Sequence, residues 1–370
     1  MLTFPHIGNI YIFIKVLLDM LKVDYVTPPP CSKRTYELGI KYAPEMACLP
    51  LKINLGNFLE SIELGADTVI ITAGCGPCRF SYYGEMHKEM LKSLGHDNVK
   101  VVTIDSSDGI RELMRRFKLI FNSANPLKIF YAMLRAYYII KRVDDIDRIA
   151  YKTRAREIKI GSTNKIMDSM RRRIDKVKGR KAVKGILDDI EKELKSIELD
   201  KGKEPIKVGL VGDIYTLIEP SSNIYIEKML GNMGVEVHKS LYISKWIEEH
   251  IIKGLVDRKE KKRFDKACKP YMDIPIGGHA RESIGNSALY AENGFDGVIQ
   301  IYPLTCMPEI VASSVLPTVS GDKDIPILTL VLDEISGEAG YKTRIDAFID
   351  VLKKRRELKA AANECVLYRN

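Results

Sequence analysis

Residues 65–83 read GADTVIITAGCGPCRFSYY, and this stretch decides the fold. Gly65-Ala66-Asp67 is a helix stop, and Thr68–Thr72 is a short β-branched run of the kind buried in a parallel sheet. A helical pattern then runs over Tyr83–Leu94. Between strand and helix lies a Gly- and Pro-containing loop that carries Cys75 and Cys78. Strand, loop and helix in that order are part of a βαβ unit, and the loop leaves the carboxyl end of its strand, where open α/β sheets place their sites.

The same alternation extends outward over residues 1–110. Strands are expected at Leu2–Phe4, Asp24–Thr27 and Lys100–Ile104, with helices at Ile10–Leu21 and Leu51–Leu64. Residues 111–204 change character: long charged amphipathic stretches with few turn signals predict a helical insertion or bridge. Lys201-Gly202-Lys203-Glu204-Pro205 breaks that pattern, and Ile206–Val211 opens a second α/β lobe over 205–370. Its further elements are a helix near Asn223–Leu230, strands near Val235–Lys239, Gly297–Ile301 and Ile327–Val331, and a final helix near Thr343–Arg356. The expected fold is therefore α/β, with two Rossmann-like lobes of parallel sheet joined by a basic helical segment.

With 370 residues, 45% of them apolar, the chain can bury two cores of ordinary size. The opening residues MLTFPHIGN lack the basic, apolar and small-residue sections of a secretory signal, and no apolar run reaches the ~18 residues of a membrane span. The expectation is a cytoplasmic protein without membrane attachment. The net charge of +9 is concentrated in residues 111–200, which hold nearly twice as many lysines and arginines as acids. Such a surface attracts nucleic acid, an acidic partner or a phosphorylated ligand. Neither a nucleic-acid reading module nor aromatics interleaved with the basic residues occurs, so nucleic acid is not expected.

Seven cysteines in a reducing compartment are poor candidates for disulfides. Apart from Cys365 near the tail, each lies in a short Pro- or Gly-containing segment: Cys31 in PPPCSK, Cys48 in ACLPLK, Cys75 and Cys78 in GCGPCR, Cys268 in ACKPY and Cys306 in PLTCMPE. Burial as small hydrophobes is the plainest reading of any single one. Taken together they suit metal ligation, with thiols offered from the binding edges of both lobes. Zinc would take four such thiolates, though structural zinc usually stitches a compact local module, whereas iron–sulfur clusters accept ligands from distant segments. Cys75-Gly76-Pro77-Cys78 is also the tetrapeptide of a dithiol exchanger, a reading that leaves the other cysteines without a role.

The stretches TFPHIGN, PPPCSKRT, ACLPLKINLGNFLE, GCGPCRFSYYGE, VGDIYTLIEPSSN, GGHARESIGN, PLTCMPEIVASSVLP and DEISGEAGYKTRIDAF closely resemble a family. It comprises the iron–sulfur proteins related to the 2-hydroxyglutaryl-CoA dehydratase D component, with 2-hydroxyacyl-CoA dehydratases, benzoyl-CoA reductases, double-cubane cluster proteins and proteins named CoA protein activases. The likeness covers roughly residues 1–105 and 206–350 and is loose in the basic segment. It implies that three cysteines, best matched by Cys48, Cys78 and Cys306, hold a [4Fe-4S] cluster between the lobes. Cys31, Cys75 and Cys268 would supply a second cubane if the chain follows the double-cubane [8Fe-9S] members.

The resemblance further implies a separate Fe–S ATPase of the acetate-and-sugar-kinase fold as electron donor, a small-molecule or acyl-CoA substrate, reductase or dehydratase chemistry, and a homo- or heterodimer. An electron-transfer or activator component without its own substrate is the alternative. The chain has no Walker loop, and Asp105-Ser106-Ser107-Asp108-Gly109 resembles a phosphate loop only superficially, so no nucleotide is expected on this chain itself. Around the cysteines, Arg79 is a candidate for cluster charge compensation or for binding a substrate phosphate or carboxylate. Tyr83, with Tyr82 beside it, is a candidate proton donor, and His279 with Glu282 a candidate acid–base pair. His6, just after the first strand, faces the same edge. Each of these also has an ordinary packing or capping role open to it.

Overall fold

The computed structural model describes residues 1–72, 78–104, 109–121, 125–250, 258–334 and 337–367. Within them the β-branched runs pair into two separate parallel sheets, one of three strands and one of four, so the chain is an α/β protein. The first sheet contains β1 (Leu2–Thr3), β2 (Thr68–Thr72) and β3 (Lys100–Ile104) in the order β1-β2-β3, with Leu2 opposite Thr68 and Val69 opposite Val101. The strand expected over residues 24–27 is reduced to one parallel bridge between Tyr25 and Leu2. Pro28, Pro29 and Pro30 follow at once, and a residue without an N–H cannot extend a ladder.

The helices of this half are α1 (Ile10–Leu21), α2 (Lys33–Tyr42), α3 (Leu49–Glu63) and α4 (Tyr83–Ser93), with a 3₁₀ turn over Arg79–Tyr82. The sequence reading did not foresee α2, whose start is set by a capping box in which the Ser32 N–H donates to Thr35 Oγ1 at 3.0 Å. It packs closely on α3: a Cβ at Gly39 would lie 1.9 Å from the Lys52 carbonyl oxygen. From Leu49 to Ser61 every residue of α3 is buried, well beyond the single stripe of a surface helix. Its other side meets the second half of the chain, where Leu49 and Ile53 pack with Tyr215, and Lys52 pairs with Glu334.

The basic segment folds as α5 (Gly109–Ile120), α6 (Pro126–Arg154), α7 (Ser162–Asp175) and α8 (Arg180–Lys195). Part of its charge is neutralised internally: Arg142 pairs with Asp188 and Glu191 at 3.2 and 2.5 Å, and Arg173 with Asp189 and Glu193 at 2.8 and 2.9 Å. The second sheet contains β4 (Lys207–Gly212), β5 (Glu236–Lys239), β6 (Gly297–Pro303) and β7 (Ile327–Leu332), all parallel, in the order β5-β4-β6-β7. Around it lie α9 (Ile214–Ile218), α10 (Ile226–Asn232), α11 (Ile243–His250), α12 (Arg258–Cys268), α13 (Ala280–Glu292), α14 (Met307–Asp322) and α15 (Glu338–Leu367).

One hydrophobic cluster runs from Leu2 and Ile12 through Ile139, Ile140 and Ile146 of α6 to Leu210, Ile299 and Ile301 of the second sheet and Ile345 and Ile349 of α15. The basic helices thus share a core with both sheets. Among the described residues no helix is long and apolar enough to cross a membrane.

Candidate metal centre

In the second sheet the chain passes from β4 to β5 on one side and returns to β6 on the other, so the direction of winding reverses between β4 and β6. In the first sheet the Tyr25 bridge lies on one side of β1 and β2 on the other. Reversals of this kind leave a crevice at the carboxyl ends of the two strands involved. The segments that leave those ends meet: Ile7 beyond β1, Cys78 beyond β2, Asp213 beyond β4 and Cys306 beyond β6 all line one cavity of about 260 Å³. Ile10, Pro50, Phe80, Ile214, Ile218, Trp246 and Pro308 make much of its wall apolar, and Cys48 completes a set of three thiols.

Each of the three sulfurs stands at a helix start. Cys48 is the N-cap of α3, Cys78 of the 3₁₀ turn that leads into α4, and Cys306 of α14. Pro50 and Pro308, at the beginning of α3 and α14, suit positions where no N–H is required. All three thiols are partly buried, and burial pushes them up: Cys48 to about 11, Cys78 and Cys306 in the same direction. Asp213 adds to that rise in all three, while the amides of Leu51, Phe80 and Glu309 oppose it without completing a capping hydrogen bond. The bare cavity therefore favours neutral thiols, and bound iron would supply the positive charge that three thiolates need. The donor set fits such a group: three soft ligands from three distant segments, lining one largely apolar pocket.

Arg79 ties the three cysteine segments together. Its Nη1 donates to the Met46 carbonyl at 3.2 Å and its Nη2 to the Thr305 carbonyl at 2.7 Å, so the residue after Cys78 holds the segments that enter Cys48 and Cys306. Thr305 has a left-handed backbone, φ 70°, an uncommon state for a β-branched residue. Its hydroxyl oxygen is buried and has no hydrogen-bond partner among the described residues. The position proposed from sequence for charge compensation is thus a clamp on the loops.

The hydroxyl of Tyr83 contacts the Cys48 sulfur at the cavity wall. Tyr82 is 65% exposed and does not line the cavity. His279, the N-cap of α13, lines the cavity, but Glu282, one turn on, is not among the lining residues. Two acids that sequence reasoning missed do line it. Asp213 caps α9, accepting from the Thr216 N–H and Oγ1 at 3.0 Å each. Glu309 is 1% exposed and accepts from Ser283 Oγ at 2.9 Å and Gln300 Nε2 at 2.9 Å. The available signals were an acid directly after a buried strand, in Val211-Gly212-Asp213, and an acid in the first turn after Cys306.

Burial pushes the Glu309 carboxyl up to about 8, so it holds a proton at neutral pH. From about pH 4.5, the ordinary value, to about 8, the folded chain keeps a proton that the unfolded chain has released. Stability accordingly falls as pH rises through that window, by an amount of the order of a few kcal/mol. Glu309→Gln is expected to flatten this slope and to stabilise the metal-free protein at pH 8. Urea unfolding at pH 5 and pH 8 measures it, and an unchanged slope in the variant would contradict the assignment.

The other candidates lie elsewhere. Cys75 and the segment 105–108 are outside the described residues. Cys31 packs with Leu49, Ile53 and Tyr215, whereas Cys268 packs with Ala280, Ile284 and Leu316 at the end of α12. Neither lines the cavity, and the two sit in different hydrophobic clusters. His6 is partnered by Glu219, with Nδ1 3.2 Å from Oε2. No protein-family model matches this chain, and no curated protein matches it.

Proposed function

We propose that Cys48, Cys78 and Cys306 hold one [4Fe-4S] cluster in the cavity between the two sheets, and that the chain is a low-potential iron–sulfur protein resembling 2-hydroxyacyl-CoA dehydratase D components. The observation that carries this reading is the convergence of three thiols, 258 positions apart at the extremes, on one largely apolar pocket. On the same reading the sheets belong to two Rossmann-like lobes, 1–110 and 205–370, joined by the bridge 111–204. The cluster would supply single electrons at low potential for the reduction or dehydration of a small substrate, an acyl-CoA among the candidates.

The chain's own residues supply the rest. The apolar wall keeps water out, which strengthens every charge interaction inside. Glu309 and Tyr83 hold protons on the cavity wall at neutral pH, because burial opposes the ionised form of each. Arg79 fixes the three loops against one another. A single cubane is favoured over the double form, since Cys31 and Cys268 lie apart from the cavity and from each other's cluster. Electrons would come from a separate Fe–S ATPase in the cytoplasm.

The test is anaerobic. The purified protein is expected to contain about four irons per chain with matching sulfide, as one cubane requires. Its paramagnetic signal on reduction should appear with the ATPase, its donor and MgATP together, and not with the ATPase alone. A protein that holds a single zinc and cannot be reconstituted with iron would overturn the cluster. Full reduction by the ATPase and donor without ATP would overturn only the uphill delivery.

A further inference from the structure

A second group of ligating side chains lies outside the three-thiol set and owes nothing to it. His6 follows β1, Cys31 ends the Pro28–Pro30 run, and Glu219 follows α9, yet one ligand atom of each lies within 4.8 Å of the other two. The site is enclosed: the side chains of His6 and Glu219 are 12% and 3% exposed, and Cys31 is buried. A tetrahedral ion with nitrogen and oxygen ligands at about 2.1 Å and sulfur at about 2.3 Å sets its ligand atoms roughly 3.3–3.7 Å apart. The His6 Nδ1 to Glu219 Oε2 separation of 3.2 Å is within about 0.1 Å of that spacing, and the thiol needs a movement of no more than about 1.5 Å to reach it.

The surroundings orient these groups as an outer shell orients ligands. Glu219 Oε2 accepts from the Gly8 N–H at 2.6 Å, and Oε1 accepts from the Ser221 N–H and Oγ at 3.1 and 2.7 Å, which fixes the carboxylate plane. Asn57 serves the other two: its Oδ1 accepts from the His6 N–H at 3.2 Å, and its amide lies 3.6 Å from the Cys31 sulfur. The His6 ring stacks on Tyr11 with centroids 5.4 Å apart. Ligands held in this way by hydrogen bonds and packing are the usual design of a protein metal site.

We propose that His6, Cys31 and Glu219 bind a single divalent cation of borderline softness, zinc or ferrous iron. One nitrogen, one sulfur and one oxygen ligand suit those ions better than magnesium or calcium, which prefer oxygen alone. Three protein ligands leave the fourth position for water or a small molecule. The site bridges the two halves of the chain, so the ion ties the loop after β1 to the segment after α9. Cys31 then belongs to this ion and not to a second cubane, and the proposal stands whether or not the three-thiol cavity holds iron.

The experiment is an anaerobic titration of the full, metal-stripped chain with cobalt(II), read by optical absorption and by X-ray absorption at the cobalt edge. Wild type is expected to bind the first equivalent with a thiolate charge-transfer band and with one sulfur among nitrogen and oxygen neighbours. Cys31→Ser should remove that band, Glu219→Gln should weaken binding at least tenfold, and Cys306→Ala should leave the first equivalent unchanged. A first equivalent with three sulfur neighbours, a band lost in Cys306→Ala and kept in Cys31→Ser, or no cobalt bound at all would overturn the proposal. The X-ray measurement needs only wild-type protein, so a variant that fails to fold does not remove the test.

Discussion

Cys306→Ala is expected to remove essentially all acid-labile sulfide, and the cluster iron with it, from anaerobically prepared protein, with Cys48→Ala and Cys78→Ala behaving alike. A cubane held by three thiolates has no spare protein ligand, and alanine leaves an iron facing an apolar wall with no donor to replace the sulfur. Asp213 lines the same cavity, but its carboxylate is already engaged in capping α9. Cys78→Ala and Cys306→Ala barely perturb packing, since each is a partly exposed N-cap that makes no capping bond, whereas Cys48→Ala also removes the contact of the buried Tyr83 hydroxyl. In Cys78→Ala and Cys306→Ala loss of iron should therefore occur with unfolding free energy of the metal-free protein changed by less than about 1 kcal/mol. Cys268→Ala and Cys365→Ala should keep full iron: the first lies in another hydrophobic cluster, the second outside every cysteine motif. Iron and sulfide analysis of the five variants decides the matter. If Cys268→Ala loses half of the iron, a second cubane exists and the single-cluster reading fails.

Gly212→Ala is expected to destabilise the protein by about 4 kcal/mol and to disrupt the cavity with it. Gly212 ends β4 with φ 146°, a backbone state that an L side chain rarely adopts. A Cβ there would lie 1.8 Å from the Ile301 carbonyl oxygen on β6, far inside contact distance. That carbonyl is not free to retreat, because it accepts from the Asp213 N–H and from Thr216 Oγ1, each at 3.3 Å. Relief must come from separating β4 and β6, the two strands whose ends frame the crevice. Urea unfolding of the variant measures the cost, and a loss below about 1 kcal/mol would show that the strand ends are not held as described.

Much of the architecture was legible because it depends on local pattern. Thr68–Thr72 and Lys100–Ile104 are strands with the expected bounds, and α1 likewise spans Ile10–Leu21. Short β-branched runs between helix stops have few other ways to bury themselves in a chain of this size. The second sheet followed the same rule within a residue or two, and the charged periodic stretch did become helices. The failures also have local causes: three consecutive prolines stopped the strand at Tyr25, and α2 is short and polar on average, although its residues divide into an apolar and a polar side as clearly as those of α1.

By itself the sequence determined the α/β class, the bounds of most strands, and that Cys48, Cys78 and Cys306 stand at helix starts close to Pro or Gly. Local backbone preference and hydrophobic periodicity act over a few residues, so a linear reading captures them. Only the tertiary structure decided that Cys48, Cys78 and Cys306 share one cavity, that Cys31 faces His6 and Glu219 and not those thiols, and that Arg79 clamps two loops. It also revealed Asp213 and Glu309, whose properties come from burial beside partners far along the chain. Distances across a crevice and the desolvation of a carboxyl depend on how two sheets and the helices between them share a core, a relation that no stretch of neighbouring residues encodes.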